Sequence, residues 1–187
     1  MIAKRIRMFA VLTTVALLSG LVLAMVYAVS NPRIEENLAD EQKKSIFSVL
    51  SETSRYIEKE EDGVKYFVGE DESGKATGIA LPAEGNGYQG KINLMIGLTP
   101  DLSEITGLEV IQQVETPGLG GRIAENDFKG QFEGIRTNPA AYYVKNKEPD
   151  NNNTVQAITG ATISSMAVVS IINEAVQRLK QVLKQGS

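Results

Sequence analysis

The sequence predicts an α+β protein: one N-terminal transmembrane helix, then an extracytoplasmic domain with a mainly antiparallel sheet flanked by helices, the last of them long. Three observations predict it. Residues 8–29 carry no charge. Between residues 55 and 114, short alternating or β-branched runs are separated by turn-forming clusters, which is the signature of strands joined locally. From Ile163 to Leu183, apolar residues recur at spacings of three and four, as one buried face of a helix requires.

The charge-free run comes first in the chain. At about 1.5 Å per residue, its 22 positions span roughly 33 Å, enough for the hydrocarbon core of a bilayer. Lys4, Arg5 and Arg7 precede it, and Glu35, Glu36, Asp40 and Glu41 follow it. The excess of basic charge places residues 1–7 in the cytoplasm and the remainder outside the bacterial or archaeal inner membrane. A cleaved signal peptide is the alternative, but the run is longer than the usual apolar stretch of one, and the small residues near Ala28 and Ser30 make a weak cleavage site. Residues 33–51 place Ile34, Leu38, Phe47 and Leu50 among many charges, so 30–54 reads as a linker containing an amphipathic helix.

The domain is expected over 55–187. Tyr56-Ile57, Val64 to Val68 and Ala76 to Leu81 read as strands, with Asp71 to Lys75 as a hairpin connection. The Gly-rich loop Gly85 to Gly90 leads into Lys91 to Leu98, which alternates as a half-buried strand does. It lacks the Gly-Lys-Ser/Thr ending of a phosphate-binding P-loop. Another strand runs from Ile105 to Val114 and ends in Glu115-Thr116-Pro117-Gly118-Leu119-Gly120-Gly121. That loop lets a backbone come close to a ligand, or makes a tight connection and nothing more. Phe128 and Phe132, four apart, read as core anchors, and Ala140 to Val144 as a further strand. Lys145 to Asn153 is a polar loop, whose Asn152-Asn153-Thr154 matches a glycosylation acceptor without any secretory context to support it.

The stretch Thr159-Gly160-Ala161-Thr162-Ile163-Ser164-Ser165 opens the last helix. Hydroxyl residues at such a position cap open backbone N–H groups, and Thr159 is the expected cap. The same helix end favours a phosphate, because its N–H groups and dipole both attract negative charge. Both readings stand on local pattern alone.

Composition removes much other chemistry. There is no Cys and no His, which excludes cysteine-ligated iron–sulfur clusters, His/Cys zinc sites, Ser-His-Asp triads, cysteine nucleophiles and disulfides. Setting aside Lys4, Arg5 and Arg7 leaves 16 basic against 23 acidic residues, a net charge of −7. That acidic body, with no Trp to stack on bases, argues against nucleic acid as a partner. No strand is followed by the Gly-x-Gly-x-x-Gly fingerprint of a dinucleotide site, so direct oxidation of NADH by this chain is not expected.

Gly87-Tyr88-Gln89-Gly90, Glu115 to Gly120, Phe128-Lys129-Gly130-Gln131-Phe132 and Thr159 to Ser165 together resemble the FMN-binding domain family, in order and spacing. The motif-bearing part covers residues 87–173. Within that family the short length and single N-terminal span are most similar to the G subunit of Rnf complexes, which are ion-translocating ferredoxin:NAD oxidoreductases. The C subunit of sodium-pumping NADH:quinone reductases is the alternative.

The resemblance implies an electron-transfer subunit of a multi-subunit membrane complex. It implies FMN held covalently through a phosphoester to Thr162 and attached by a separate flavin transferase with FAD as donor. Gly160 and Ala161 would let the backbone approach, while Thr159, Ser164 and Ser165 add polar groups. Glu115, Thr116, Gly118, Leu119 and Gly120 would flank the ring, with Thr116 and Leu119 against it. Gln156 stands where the family's attachment motif usually carries Asp. A non-catalytic extracytoplasmic adaptor, with the same loops serving only as turns, is the competing reading. A flavin reductase acting on a small substrate is a third.

Overall fold

The computed structural model describes residues 2–145, 147–149 and 153–185. Asn152 of the glycosylation match lies outside them. The chain divides into two units, 1–41 and 42–187. The first is helical throughout its described residues. Helix α1 spans Ile2–Val49, so the apolar span and the amphipathic segment form one element through Pro32 rather than two. The helix is long and apolar enough to cross a membrane.

The second unit is built on five antiparallel strands in sequential order: β1 (Arg55–Glu61), β2 (Val64–Glu70), β3 (Ala76–Asn86), β4 (Lys91–Leu98) and β5 (Ile105–Gln113). Local turns set this order. Asp62 and Gly63 both have positive φ (46° and 71°) between paired Glu61 and Val64, the conformation of a two-residue hairpin whose twist matches its strands. The β2–β3 connection is closed by Asp71, whose Oδ1 accepts from the Ser73 and Lys75 amides at 2.8 and 3.0 Å.

In the β4–β5 connection, Asp101 Oδ1 accepts from Thr99 Oγ1 at 2.6 Å and Ser103 Oγ at 2.8 Å. These bonds favour the charged form and hold the Asp101 carboxyl down at about 2. The bond network therefore helps the fold above pH 3.8 and loses that help as the pH falls toward 2, since the depressed value belongs to the folded state. Carboxyl-detected NMR titration is expected to give a midpoint near 2 for Asp101. A midpoint near the ordinary 3.8 would mean that the turn is open in solution.

The sheet is covered on both faces. Helix α3 (Thr162–Gln185) lays Val168, Val169, Ile172, Val176 and Leu179 on one face, against Leu81, Ile92, Leu94 and Ile96. The other face receives the end of α1, where Ile46, Val49 and Leu50 pack with Phe67, Ala80 and Met95. Gly97 makes room for that end, since a Cβ there would collide with the Val49 carbonyl. The same carbonyl, left open at the helix terminus, accepts from Thr106 Oγ1 at 2.8 Å. Coverage from both sides is why β4 is buried along most of its length, where its alternation predicts burial of one face only.

Beyond β5 the chain forms a 3-10 turn (Gly120–Ala124), the short helix α2 (Asn126–Lys129) and a second 3-10 turn (Gly130–Phe132). Phe128 and Phe132 are buried in the α3-side core with ring centroids 5.4 Å apart, edge to face. Two three-residue strands follow, β6 (Tyr142–Val144) and β7 (Thr154–Gln156), paired in parallel. Strand β7 is too short to read from periodicity.

Candidate functional site

The four motifs meet at the N-terminal end of α3, and bonds between motifs bring them there. Between β5 and the first 3-10 turn, Thr116-Pro117-Gly118-Leu119 closes with Leu119 N–H on Thr116 O at 3.1 Å. Pro117 supplies a fixed φ, and Gly118 the positive φ of 75° that the third position of a type II turn needs. This turn points Leu119 outward, where its Cδ2 comes within 3.4 Å of where a Cβ on Gly160 would stand. Gly160 itself has φ 82°, a conformation that costs other residues about 1–2 kcal/mol. The odd apolar side chain of one loop thus lies over the glycine of the other.

Glu115 is the tie beneath them. It is 4 % exposed, with no ion pair to a basic side chain among the described residues. Its Oε1 accepts from the Gln89 amide at 2.9 Å, and its Oε2 from Ser164 Oγ at 2.5 Å. One carboxylate therefore joins the Gly87–Gly90 turn, the loop after β5 and the first turn of α3. Gly120 stands where any side chain would strike Ser164 and Glu115. The Phe128–Phe132 motif supports the same region from the other side. The Gln131 side-chain amide pairs with the backbone of Gln156, accepting from its N–H at 2.7 Å and approaching its carbonyl at 3.5 Å. Strand β7, which leads into the turn before α3, is held at its outer edge in this way. Gln89 and Gln131 carry no local sequence signal for these roles, because their partners lie 26 and 25 residues away.

The structure corrects two roles expected from sequence. Helix α3 begins at Thr162, so the cap position falls on Ala161, and Thr159 sits too early, exposed in the preceding turn. Ser165 braces the turn instead: its Oγ accepts from Ile158 N–H and donates to Ala161 O, both at 3.0 Å. Ser164 and Ser165 are buried, with their hydroxyl protons committed to Glu115 and Ala161, so neither proton is free for a cofactor.

What remains open to a ligand is Thr162, half-buried at the first helical position, two residues after Gly160, over which Leu119 lies. The N–H groups of Thr162, Ile163 and Ser164 fall in the first turn, before intrahelical bonds begin with Ser165 N–H on Ala161 O. A hydroxyl beside free N–H groups at the positive end of a 24-residue helix, reached over a glycine, suits a phosphate ester. An exposed leucine nearby suits a flat apolar ring. A cavity of about 240 Å³ adjoins Thr159, lined by Arg122, Asp127, Gln131 and Gln156 among others.

A model of the FMN-binding domain family matches residues 87–177. The G subunit of the proton-translocating ferredoxin:NAD(+) oxidoreductase complex from Clostridium ljungdahlii is 30% identical over 90% of this chain and 88% of its own length. The chain belongs to the FMN-binding domain family. The G subunit of an ion-translocating oxidoreductase complex from Methanosarcina acetivorans is 34% identical over 88% of this chain and 89% of its length. The fold also resembles two solved structures. The C subunit of the Na(+)-translocating NADH-quinone reductase from Parabacteroides distasonis has a TM-score of 0.60 at 20% identity, covering 76% of this chain and 92% of the other. The NqrC protein of Shewanella oneidensis has a TM-score of 0.55 at 25% identity, covering 59% and 54%. The matched segment begins at the Gly87 turn and ends within α3, so it contains all four motifs.

Proposed function

We propose that this chain is the flavin-bearing, membrane-anchored electron-transfer subunit of an ion-translocating oxidoreductase complex, with FMN joined to Thr162 through a phosphoester. The observation that carries the reading is the position of Thr162, at the open N-terminal end of α3 beside Gly160 and Leu119. The relatives are subunits of such complexes by name. By sequence the chain matches 63–89% of the length of three G-type relatives but 40–47% of C-type relatives from Haemophilus ducreyi and Vibrio vulnificus, which favours the G-type assignment.

In this reading residues 8–29 form the retained span, residues 1–7 lie in the cytoplasm, and the domain from 55 onward lies outside. Bound FMN supplies one- and two-electron redox chemistry. The chain would supply position: the N–H groups of the first α3 turn would hold the phosphate, Leu119 and Thr116 would lie against the ring, and Glu115 keeps the surrounding segments in register. Attachment forms a bond from Thr162 Oγ to the FMN phosphorus of FAD and breaks the diphosphate bond, so that AMP leaves and the hydroxyl proton passes to a base. The chain has no His, and the buried carboxylate at the site, Glu115, is bonded to Ser164 and Gln89. A separate flavin transferase providing that base fits this arrangement.

Intact mass of the chain expressed with a flavin transferase is expected to rise by FMN less water. An unmodified mass would favour a non-covalent binder or the adaptor reading.

A further inference from the structure

A cavity of about 520 Å³ lies between the second half of α3 and the segment 136–141, away from the cofactor turn. Thr162 and Lys180 share one helix and are separated along its axis by roughly 27 Å, at about 1.5 Å per residue. The α3 wall of the cavity is a stripe of residues four apart, which one helical face presents together. Ile172 and Val176, toward the middle of the helix, are buried and apolar, whereas Lys180 and Lys184, toward its C-terminus, are cationic. Arg136 and Thr137 stand on the facing wall, and Ile105 adds to the apolar lining. Among the described residues no Asp or Glu lines the cavity, although the chain carries 23 acidic against 19 basic residues.

The chain itself satisfies these three cations poorly. Lys180 is half-buried, and its Nζ donates to Thr137 Oγ1 at 2.6 Å and lies 3.5 Å from the Thr137 carbonyl. An ammonium has three protons to give, so at least one has no acceptor among the described residues. Burial and the charge of Lys184 hold the Lys180 pKa below that of an ordinary lysine, and Asp101 offsets only part of this. Arg136 has only Glu104, 3.9 Å from its Nε, and Lys184 forms no ion pair among the described residues. By contrast, Arg55, Lys65, Lys91, Arg122 and Lys129 each meet a carboxylate within 3.0 Å.

Lysines in the last turns of a helix complement its dipole, which accounts for Lys180 and Lys184 as charges near a C-terminus. It does not account for Arg136, which approaches from outside the helix, nor for the cavity between them. Three cations around one opening, with side-chain amides beside them, match a group that offers several anionic oxygens. A carboxylate brings one charge to them, whereas a phosphate monoester brings about two. The apolar half of the stripe leaves room for a carbon skeleton, and small-molecule sites span roughly 300–1,000 Å³.

We propose that this cavity binds an organic phosphate monoester, its phosphate held by Arg136, Lys180 and Lys184 and its carbon skeleton lying along Ile105, Ile172 and Val176. The monoester belongs to a soluble metabolite or to the headgroup of an anionic lipid, and the chemistry of recognition is the same for both. The site is independent of the flavin reading.

The test is calorimetric titration of the full-length chain in neutral detergent at fixed ionic strength, with protein-free titrations subtracted. Glycerol 3-phosphate is the soluble probe and dioctanoyl phosphatidic acid the lipid probe, while dioctanoyl phosphatidylcholine has a phosphate whose charge its own ammonium cancels. At least one monoester is expected to bind saturably, with Kd below about 1 mM. Arg136→Gln/Lys184→Gln removes two charges that make no close bond within the described residues, so its unliganded melting should match wild type. That variant is expected to bind the same probe about tenfold or more weakly. Its residues lie at the far end of α3 from Thr162, so this loss is separate from the cofactor turn. Lys75→Gln/Arg178→Gln removes equal charge at exposed positions outside the cavity and should bind like wild type.

Tighter binding of phosphatidic acid than of glycerol 3-phosphate would assign the lipid source, and the reverse order the soluble one. The inference is overturned if neither monoester binds saturably up to about 10 mM. Equal affinity for phosphatidylcholine and phosphatidic acid would overturn it too, as would an unchanged Kd in Arg136→Gln/Lys184→Gln or an equal loss in Lys75→Gln/Arg178→Gln.

Discussion

Thr162→Ala is expected to abolish covalent flavin while leaving the fold intact. Denatured chain on a gel should lose its fluorescence under ultraviolet light, and the mass should match the bare polypeptide. The expected effect is all or none, because the substitution removes the only atom to which the phosphorus is proposed to bond. Stability should change little: Thr162 is half-buried at the first helical position, where alanine is a better helix former. Thr162→Ser keeps a hydroxyl at that position and is expected to retain flavin. Thr159→Ala tests the neighbouring hydroxyl, which lies three residues before the helix and should leave attachment in place. Undiminished fluorescence in Thr162→Ala would put the flavin on another residue and remove the main support for the proposed function.

Substitution of Glu115 is expected to give the largest loss of stability within the site. Its two carboxylate oxygens accept from Gln89 N–H and Ser164 O–H in a buried setting. Gln in its place can still accept from Gln89 N–H through its oxygen and donate to Ser164 Oγ through its NH₂ group, but the Ser164 proton then loses its acceptor. A buried polar group left unsatisfied costs about 1–3 kcal/mol. Glu115→Gln should therefore destabilise by about that much, and Glu115→Ala, which strands both donors, by roughly twice as much. Ser164→Ala breaks one of the two bonds and should cost less than Glu115→Ala. Thermal melting of the full chain in detergent reads the order. Because Glu115 holds three loops in register, the flavin attached per chain should fall together with stability in the same series. Equal stability in Glu115→Ala and wild type would mean that the three loops are held together by packing alone.

Much of this architecture is legible along the chain because the physics behind it is local. The span at 8–29 is a matter of charge and length. The strands at 64–70, 76–86 and 105–113 follow from β-branched runs between turn residues, and α3 from apolar spacing. The motif residues Glu115, Leu119, Gly160 and Thr162 also stand out locally, since turns and helix starts are written in a few neighbouring positions. Roles are less legible than positions. Thr159 reads as a cap because it precedes an apolar stripe, yet the left-handed Gly160 delays the helix to Thr162. Ser164 and Ser165 read as available hydroxyls, because nothing nearby reveals that one will meet Glu115, 49 residues earlier, and the other Ile158.

Composition and local pattern alone account for the apolar helix at the N-terminus, the locally joined strands, the long final helix and the absence of imidazole and thiol chemistry. Each depends on residue content or on residues within a turn or two of one another. That Glu115 is a buried tie, that Gln131 holds the edge of β7, and that β4 is covered on both faces emerge only from packing. These are properties of pairs and surfaces far apart in the chain. Hydrogen bonds and burial between such residues exist only once the sheet has brought their segments together.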